Sequence, residues 1–471
     1  MTESEHVQPM DGLTPAVGFA RTIRATGTRA RQLSSSTLSA VLVGALCVLV
    51  IVRCWAFVVE GAHFDSDQAV VGLMGLDLAE GRAIAWFTYG RRYMLAIGAW
   101  LCAPLFALFG TSVMLLKLPL AVLNLGLMVM LWRGLRKTDQ LTPSQTFISI
   151  LPMALPGVVT SSRLVEQGGG NIEPFLFLVG AFLLRNRPVL LGLTLGVGFL
   201  NREFTLIGLI ALFLLDLVQG RLLFRWRAYL VTGALTYVTN AVGRWLALYS
   251  PNFYGPEIEV GSYSRESIAG LLKAQLPMVL GARETAVGLF NIPGALTVGH
   301  TWLYGLFAVW LALTIVVLAI VQRAKLFELD GLAAYLVVVA AGQGLAFVLF
   351  CPDPLNPMLI RYVLVLLLGV VGAVALAMKR PSLKGATIAL VTLLTLANLT
   401  DNVALARHLY KHPPEDDRAV LARELVRRGI RYAEAEYWIA YHVSFLSGER
   451  VVVTAPQDAR IKRYRKLIAA H

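Results

Sequence analysis

Apolar runs of membrane-spanning length alternate along this chain with short basic clusters. A helix crossing ~30 Å of hydrocarbon needs about 20 apolar residues. Leu38 to Val59 meets that requirement, broken only by Arg53 near its outer end, which is expected to snorkel or to pair with an acid outside. The run is long for a signal peptide, and the tail ahead of it carries Arg21, Arg24, Arg29 and Arg31 with no acid among them. It therefore reads as an uncleaved anchor entering from the cytoplasm. The next apolar tract, Met94 to Trp132, is interrupted at Phe109-Gly110-Thr111-Ser112. Arg133, Arg136 and Lys137 behind it belong inside by the positive-inside rule, which allows one crossing and makes Met94 to Phe109 a partly inserted or surface helix.

The same rule places both ends of Val189 to Leu217 inside, since Arg185 and Arg187 precede it and Arg221, Arg225 and Arg227 follow. The chain must then turn back outside, near Asn201-Arg202-Glu203. Further spans are expected at Phe147 to Ser161, Ile172 to Leu184, Tyr229 to Leu248, Trp302 to Val321, Leu332 to Phe350, Ile360 to Met378 and Thr387 to Leu405. Arg323 with Lys325, and Lys379 and Arg380 with Lys384, mark inner loops. The pattern predicts an all-α polytopic membrane protein of about eleven transmembrane helices, twelve if Met94 to Phe109 also crosses, with its N-terminus inside and its C-terminus outside.

Residues 1–37 form a cytoplasmic tail on this reading, residues 38–405 the transmembrane domain with outer loops 60–93, 162–173 and 249–301, and residues 406–471 an extracytoplasmic α/β cap. The loop from Ser250 to His300 carries Pro256, Glu257 and Tyr263 and an expected surface helix through Ala274. In the cap, Glu415, Asp416 and Asp417 follow Pro413-Pro414, and Arg423, Arg427 and Arg428 precede Gly429, the charge order and glycine stop of a helix. A strand near Ile430, a helix from Trp438 to Leu446 and a strand from Arg450 to Thr454 should follow. This unit holds too little core to stand alone and is expected to dock on the outer loops.

Composition agrees: 57% of residues are hydrophobic and 15% charged, against roughly a quarter charged in a globular domain. The net charge of +13 does not indicate nucleic acid, because the basic residues sit in clusters between apolar runs. Cys47, Cys54, Cys102 and Cys351 show no close spacing and suggest neither a disulfide framework nor a metal site.

Candidate chemistry concentrates on the outer side. Asp65 and Asp67 follow the first span directly, where water can keep them ionised. Either they cap an amphipathic stretch, Gln68 to Leu78, lying flat on the membrane, or one of them is a general base with Arg91 or Arg92 as its cation. Gly168 to Gly170 with Asn171 make either a tight turn or a nest of N–H groups for an anion, and Glu166 and Glu173 flank it. Arg163, Arg202, Arg244 and Arg361 lie near outer helix ends, as snorkelling anchors or as an anion site. Trp86, Tyr89 and Tyr93 either mark the interface or stack on a ligand.

FDSDQAVVGLM, FTYGRRYM and APLFALFGTS resemble the first outer loop of bacterial membrane glycosyltransferases of the GT-C type, the superfamily of the protein O-mannosyltransferases and of the enzyme that adds aminoarabinose to lipid A. YWIAYHVSFLSGERVVV is similar to the closing segment of many such proteins, and Arg361-Tyr362 resembles their Arg-Tyr pair. The resemblance implies a polyprenyl-phosphate-sugar donor, inverting transfer to a hydroxyl of a lipid, glycan or protein, and Asp67 as general base with Asp65 as its substitute. In that group an Asp-Glu pair, or Asp alone, stands where this chain has Asp67-Gln68; Gln68 removes the second acid. No cofactor is required on this reading, with a divalent cation left open. Arg202 and Arg361, then Arg92 and Arg163, are the expected partners of the leaving phosphate. Two other classes remain: a transporter or flippase of a lipid-linked sugar, and a polymerase or ligase of surface polysaccharide.

Overall fold

The computed structural model describes residues 16–91, 94–168, 172–252, 265–281, 301–322, 330–413 and 416–470. Arg92, Tyr93, Gly169, Gly170, Asn171, Pro256, Glu257, Tyr263, Arg323, Lys325, Pro414 and Glu415 lie outside the described residues. The order is α1 (Ala16–Val58), α2 (Ser66–Ala79), α3 (Ile97–Phe109), α4 (Val113–Thr138), α5 (Pro143–Ala154), α6 (Val158–Arg163), α7 (Glu173–Leu183), α8 (Pro188–Asn201), α9 (Leu206–Val218), α10 (Leu222–Ala247), α11 (Arg265–Ala269) and α12 (Leu276–Leu280), the last two joined by a π turn, Gly270–Gln275. α13 (Thr301–Gln322), α14 (Leu332–Phe350), a 3₁₀ turn at Pro357–Tyr362, α15 (Leu366–Met378) and α16 (Pro381–Lys411) complete the apolar part. The cap is α17 (Asp417–Arg427), β1 (Tyr432–Glu434), α18 (Tyr437–Leu446), β2 (Val452–Thr454) and α19 (Lys462–Ala469).

Among the described residues four helices are long and apolar enough to span a bilayer: residues 36–58 of α1, then α4, α14 and α16. α3, α7, α8, α15 and residues 303–314 are apolar but shorter. The 13 residues of α3 rise about 20 Å, less than the ~30 Å of hydrocarbon. The turn expected at Asn201-Arg202-Glu203 is present, α8 ending at Asn201 and a 3₁₀ turn occupying Glu203–Thr205.

Several expectations need correction. Arg53 neither snorkels nor meets an acid in the bonds it makes: it is 0% exposed, its Nε donates to the Ala154 carbonyl at 3.0 Å and its Nη2 to Asn124 Oδ1 at 2.5 Å. A buried guanidinium can be satisfied by carbonyl dipoles where the chain breaks, and the break is adjacent. The span expected at Phe147 to Ser161 is two helices, because Pro156 and Gly157 interrupt it between α5 and α6. The span expected from Ile360 begins only at Leu366, so Arg361 and Tyr362 lie in the turn ahead of it. α1 and α16 both extend beyond the spans expected at Leu38 to Val59 and Thr387 to Leu405. The helix expected through Ala274 exposes Arg265, Glu266, Ile268, Leu272 and Lys273, and the chain turns inward only after it, where Gln275, Met278, Val279 and Leu280 are buried and Thr160 Oγ1 donates to the Val279 carbonyl at 3.0 Å.

The largest correction concerns α2. An amphipathic helix flat on the membrane would keep one wet face, yet Ser66 and every residue from Gln68 to Asp77 are buried. α3 covers it on one side and α18 of the cap on another. Gly72 and Gly75 permit the approach, facing the Phe445 ring and the Cys102 sulfur respectively.

The cap follows its charge pattern. Asp416 Oδ1 accepts the Arg418 N–H at 2.9 Å, Gly429 ends α17 at φ 71°, and β1 pairs in parallel with β2, Tyr432 opposite Val452. α19 was not anticipated; its buried Tyr464 completes the core formed by Ala440, Tyr441 and Val451. Gly72→Val should drive a branched side chain into Phe445, which is already packed against Phe64 and Phe106. The expected cost is about 1–3 kcal/mol, read as a lower thermal unfolding temperature in detergent and faster proteolysis of the cap.

Candidate active site

The N-terminus of α2 gathers three carboxylates. Asp65 is the N-cap, its Oδ1 accepting the Gln68 N–H at 3.0 Å, so one orphan helix donor is satisfied by a charge on the favourable end of the dipole. Gln68, where a second acid was expected by resemblance, braces the loop: its side-chain amide donates to the His63 carbonyl at 2.8 Å. Lys117 from α4 donates to the same carbonyl at 2.8 Å and to that of Ala62 at 3.0 Å. These bonds hold His63 at φ 55°, a left-handed conformation costly for a non-glycine residue.

Glu166 reaches this loop from beyond α6. Its Oε2 lies 2.5 Å from Arg163 Nη1 and 3.4 Å from His63 Nε2. Burial works against the charged form of Glu166, but Arg163 and His63 outweigh it and hold the carboxyl well below the usual range. Asp65 moves the other way: burial first, then the charges of Glu166 and Asp67, raise it, with the Gln68 N–H and His63 opposing. Neighbouring acids are thus driven apart, the usual device for giving carboxyls different tasks.

Asp67 faces the cap. Its Oδ1 accepts a hydrogen bond from the Tyr437 hydroxyl. Among the described residues a cation from the cap, Arg460, acts on it; Arg92, one of the two expected partners, lies outside the described residues. Arg460 is buried, lies over the Tyr437 ring at 5.2 Å, donates to the Gly90 carbonyl at 2.7 Å and is felt electrostatically by Asp67. Arg91, half-buried, donates its own N–H to the Thr88 carbonyl at 3.1 Å. Gly168, at φ 77°, comes against the backbone of Asp67, where a Cβ would sit 3.0 Å from the carbonyl oxygen. Gly168 therefore touches the first turn of α2.

A cleft beside this contact is lined by Val71, Thr88, Gln167, Gly168, Glu173 and Asn201 among others. Among the described residues Glu173 Oε2 and Asn201 Nδ2 are buried without a hydrogen-bond partner, one an acceptor and one a donor. Arg202 faces Glu173 electrostatically.

With the geometry in place, comparison with known proteins adds the following. No family model and no curated protein sequence matches the chain. Among solved structures it is similar to ArnT from Cupriavidus metallidurans bound to undecaprenyl phosphate, with a TM-score of 0.53 and 13% identity over 91% of this chain and 88% of that one. It is likewise similar to ArnT from Cupriavidus metallidurans in the apo state, with a TM-score of 0.59 and 12% identity over the same shares. The fold is similar to that of these ArnT structures. The ArnT-like fold and the apolar helices make this an integral membrane protein. At such identity the likeness is one of fold, and the site must be judged on its own residues.

Of the residues singled out in the sequence, Asp65, Asp67, Arg163 and Glu166 share the loop cluster, Glu173 lines the adjoining cleft, and Arg202 acts on Glu173 electrostatically. Arg361 and Tyr362 occupy the 3₁₀ turn packed against the Gly270–Gln275 turn, where the Arg361 guanidinium overlies the Tyr362 ring at 5.4 Å and the Gln343 amide donates to the Tyr362 carbonyl. Arg244, on α10, is exposed and donates to Asn240 Oδ1 at 3.0 Å. His63, Lys117, Tyr437 and Arg460 escaped sequence reasoning. A signal existed for two: Lys117 is a lone charge in an apolar run, which is a functional hint in a membrane protein, and Tyr437 opens the closing segment that resembles GT-C proteins.

Ligand atoms of His63, Asp65 and Glu166 lie within 4.8 Å of one another, close enough to hold a divalent cation. The same carboxylates already face Arg163 and Lys117, whose charges they balance, and the guanidinium occupies the Glu166 oxygen nearest His63. Added Zn²⁺ or Mn²⁺ should therefore leave the unfolding temperature unchanged, and an increase would show that the triad takes a metal. Glu166→Gln should cost about 3–5 kcal/mol, since it removes the buried carboxylate that Arg163 and His63 share, measured as a fall in unfolding temperature.

Proposed function

We propose that this protein is a glycosyltransferase of the extracytoplasmic membrane face, moving a sugar from a polyprenyl-phosphate donor to an acceptor hydroxyl with inversion at the anomeric carbon. The observation that carries this reading is Asp67: a half-buried carboxylate on the first turn of a buried helix, at the seam between an apolar bundle and a polar cap, braced by Tyr437 with Arg460 alongside. Likeness in fold to an ArnT structure that holds undecaprenyl phosphate supports the lipid class of the donor.

The chemistry follows from the charges that change. As the acceptor oxygen approaches the anomeric carbon, its proton passes to Asp67, and the bond to the phosphate breaks with its electron pair leaving on the phosphate. Fixed guanidiniums stabilise that growing negative charge more than they stabilise the donor, which is what lowers the barrier. Arg202 and Arg361 are our assignments for the leaving group. A donor with an isoprenoid tail must arrive sideways from the bilayer, which accounts for acids at the membrane boundary.

The test is transfer of radiolabelled sugar from polyprenyl-phosphate donors to envelope acceptors by reconstituted protein. Asp67→Asn should lower the rate by about 10²–10⁴-fold, the usual share of a general base. Wild-type transfer by the Asp65→Asn, Asp67→Asn double variant would remove the assignment, and donor crossing the membrane with no product formed would favour a flippase.

A further inference from the structure

We infer that Tyr437 is the positioning residue for Asp67: its hydroxyl fixes carboxylate Oδ1, so that Oδ2 is the oxygen presented to the acceptor. This rests on the reading of Asp67 as base given above. Nothing in the first outer loop anticipates it, because the partner comes from the far end of the chain.

Tyr437 is the first residue of α18, and its ring is held on three sides. Arg460 lies over the ring at 5.2 Å, Trp438 meets it at 5.0 Å and 82°, and Tyr441 at 5.5 Å and 66°. Arg460 is itself fixed by the Gly90 carbonyl at 2.7 Å and Asp458 at 3.1 Å, and its backbone N–H donates to the Tyr441 hydroxyl at 2.5 Å. Gly90, at φ 70°, has no side chain because one would run into the Arg460 stem. The phenol thus has little freedom to swing away from Asp67. Burial, and then the charge on Asp67, push its hydroxyl far above the ordinary tyrosine range, so it stays a neutral O–H donor and takes no proton in the reaction.

A carboxylate free to rotate presents a given lone pair to the acceptor only part of the time, whereas one oxygen pinned by a stiff donor leaves the other aimed. In the transfer step the acceptor oxygen bonds the anomeric carbon, the carbon–phosphate oxygen bond breaks with its pair leaving on the phosphate, and the acceptor proton goes to Asp67 Oδ2. Tyr437 keeps its own proton throughout. The cap would then serve the reaction directly, as the part that sets the aim of a base carried by the bundle.

Tyr437→Phe keeps the ring and its packing and removes only the hydroxyl. It should lower kcat by about 10- to 100-fold, the scale of a misaimed catalytic group, with the KM of donor and acceptor within about twofold. The loss should vanish when Asp67 is already Ala, because residues acting as one unit are not additive. Unfolding temperatures of the wild type, the two single variants and the double variant read the contact without turnover, and should show coupling between positions 67 and 437. An unchanged kcat in Tyr437→Phe, an equal proportional loss in both backgrounds, or uncoupled unfolding temperatures would each overturn the inference while leaving Asp67 as base. Wild-type transfer by Asp67→Ala would instead remove the functional reading beneath it.

Discussion

A helix with no wet face has to be covered on every side, and α2 is such a helix at a place where the chain has just left the membrane. Burying its Val70, Val71, Leu73, Met74 and Leu76 is worth about 1.5–3 kcal/mol for each large side chain, but only if two separate pieces of protein meet over it. α3 supplies one cover and α18 of the cap the other. The apolar bundle and the soluble cap are therefore joined through α2, with Gly72 and Gly75 setting how closely they approach. The far end is pinned as well: buried Asp77 accepts from the Tyr89 hydroxyl at 3.0 Å and pairs with Arg82 at 3.1 Å and Arg463 at 2.7 Å, and both arginines also bind Glu449 of the cap.

Clamping both ends turns the first turn of α2 into a rigid mount for charge. Asp65, Asp67 and Glu166 would repel one another if they shared one environment. Each instead has its own partner: a backbone N–H for Asp65, a phenol for Asp67, a guanidinium for Glu166. The result is one carboxyl held low, one pushed up by burial and its neighbours, and one turned toward the cap. That division of labour is what a proton-transfer site at a membrane boundary needs.

How much of this could be read along the chain depends on the range of the contacts involved. Span positions were legible because hydrophobic length and flanking charge are local: Leu332 to Phe350 is α14 residue for residue, and the reversal at Asn201-Arg202-Glu203 is where the basic flanks require it. In the cap, an acid-first, base-last segment closed by Gly429 was sufficient to mark α17. α2 misled because periodicity separates wet from dry faces and fails when Ser66, Gln68 and Asp77 are all buried with the apolar residues. Arg53 misled for a related reason, its partners being a carbonyl at a helix break and an asparagine on another helix. The acidic loop was found as a stretch, but its cation was sought by nearness in sequence, in Arg91 or Arg92. Among the described residues the groups that serve it, Lys117, Tyr437 and Arg460, come from elements more than fifty and more than three hundred residues away. Local pattern carries no record of such pairings.

Hydrogen–deuterium exchange on the intact protein in detergent tests the buried clamp most directly. Amides of Ser66–Ala79 should exchange as slowly as those of α15, whose residues from Leu367 to Met378 are all buried, because opening α2 requires the cap and α3 to part. Exchange of α2 within seconds, at the pace of a helix lying on a surface, would contradict the account.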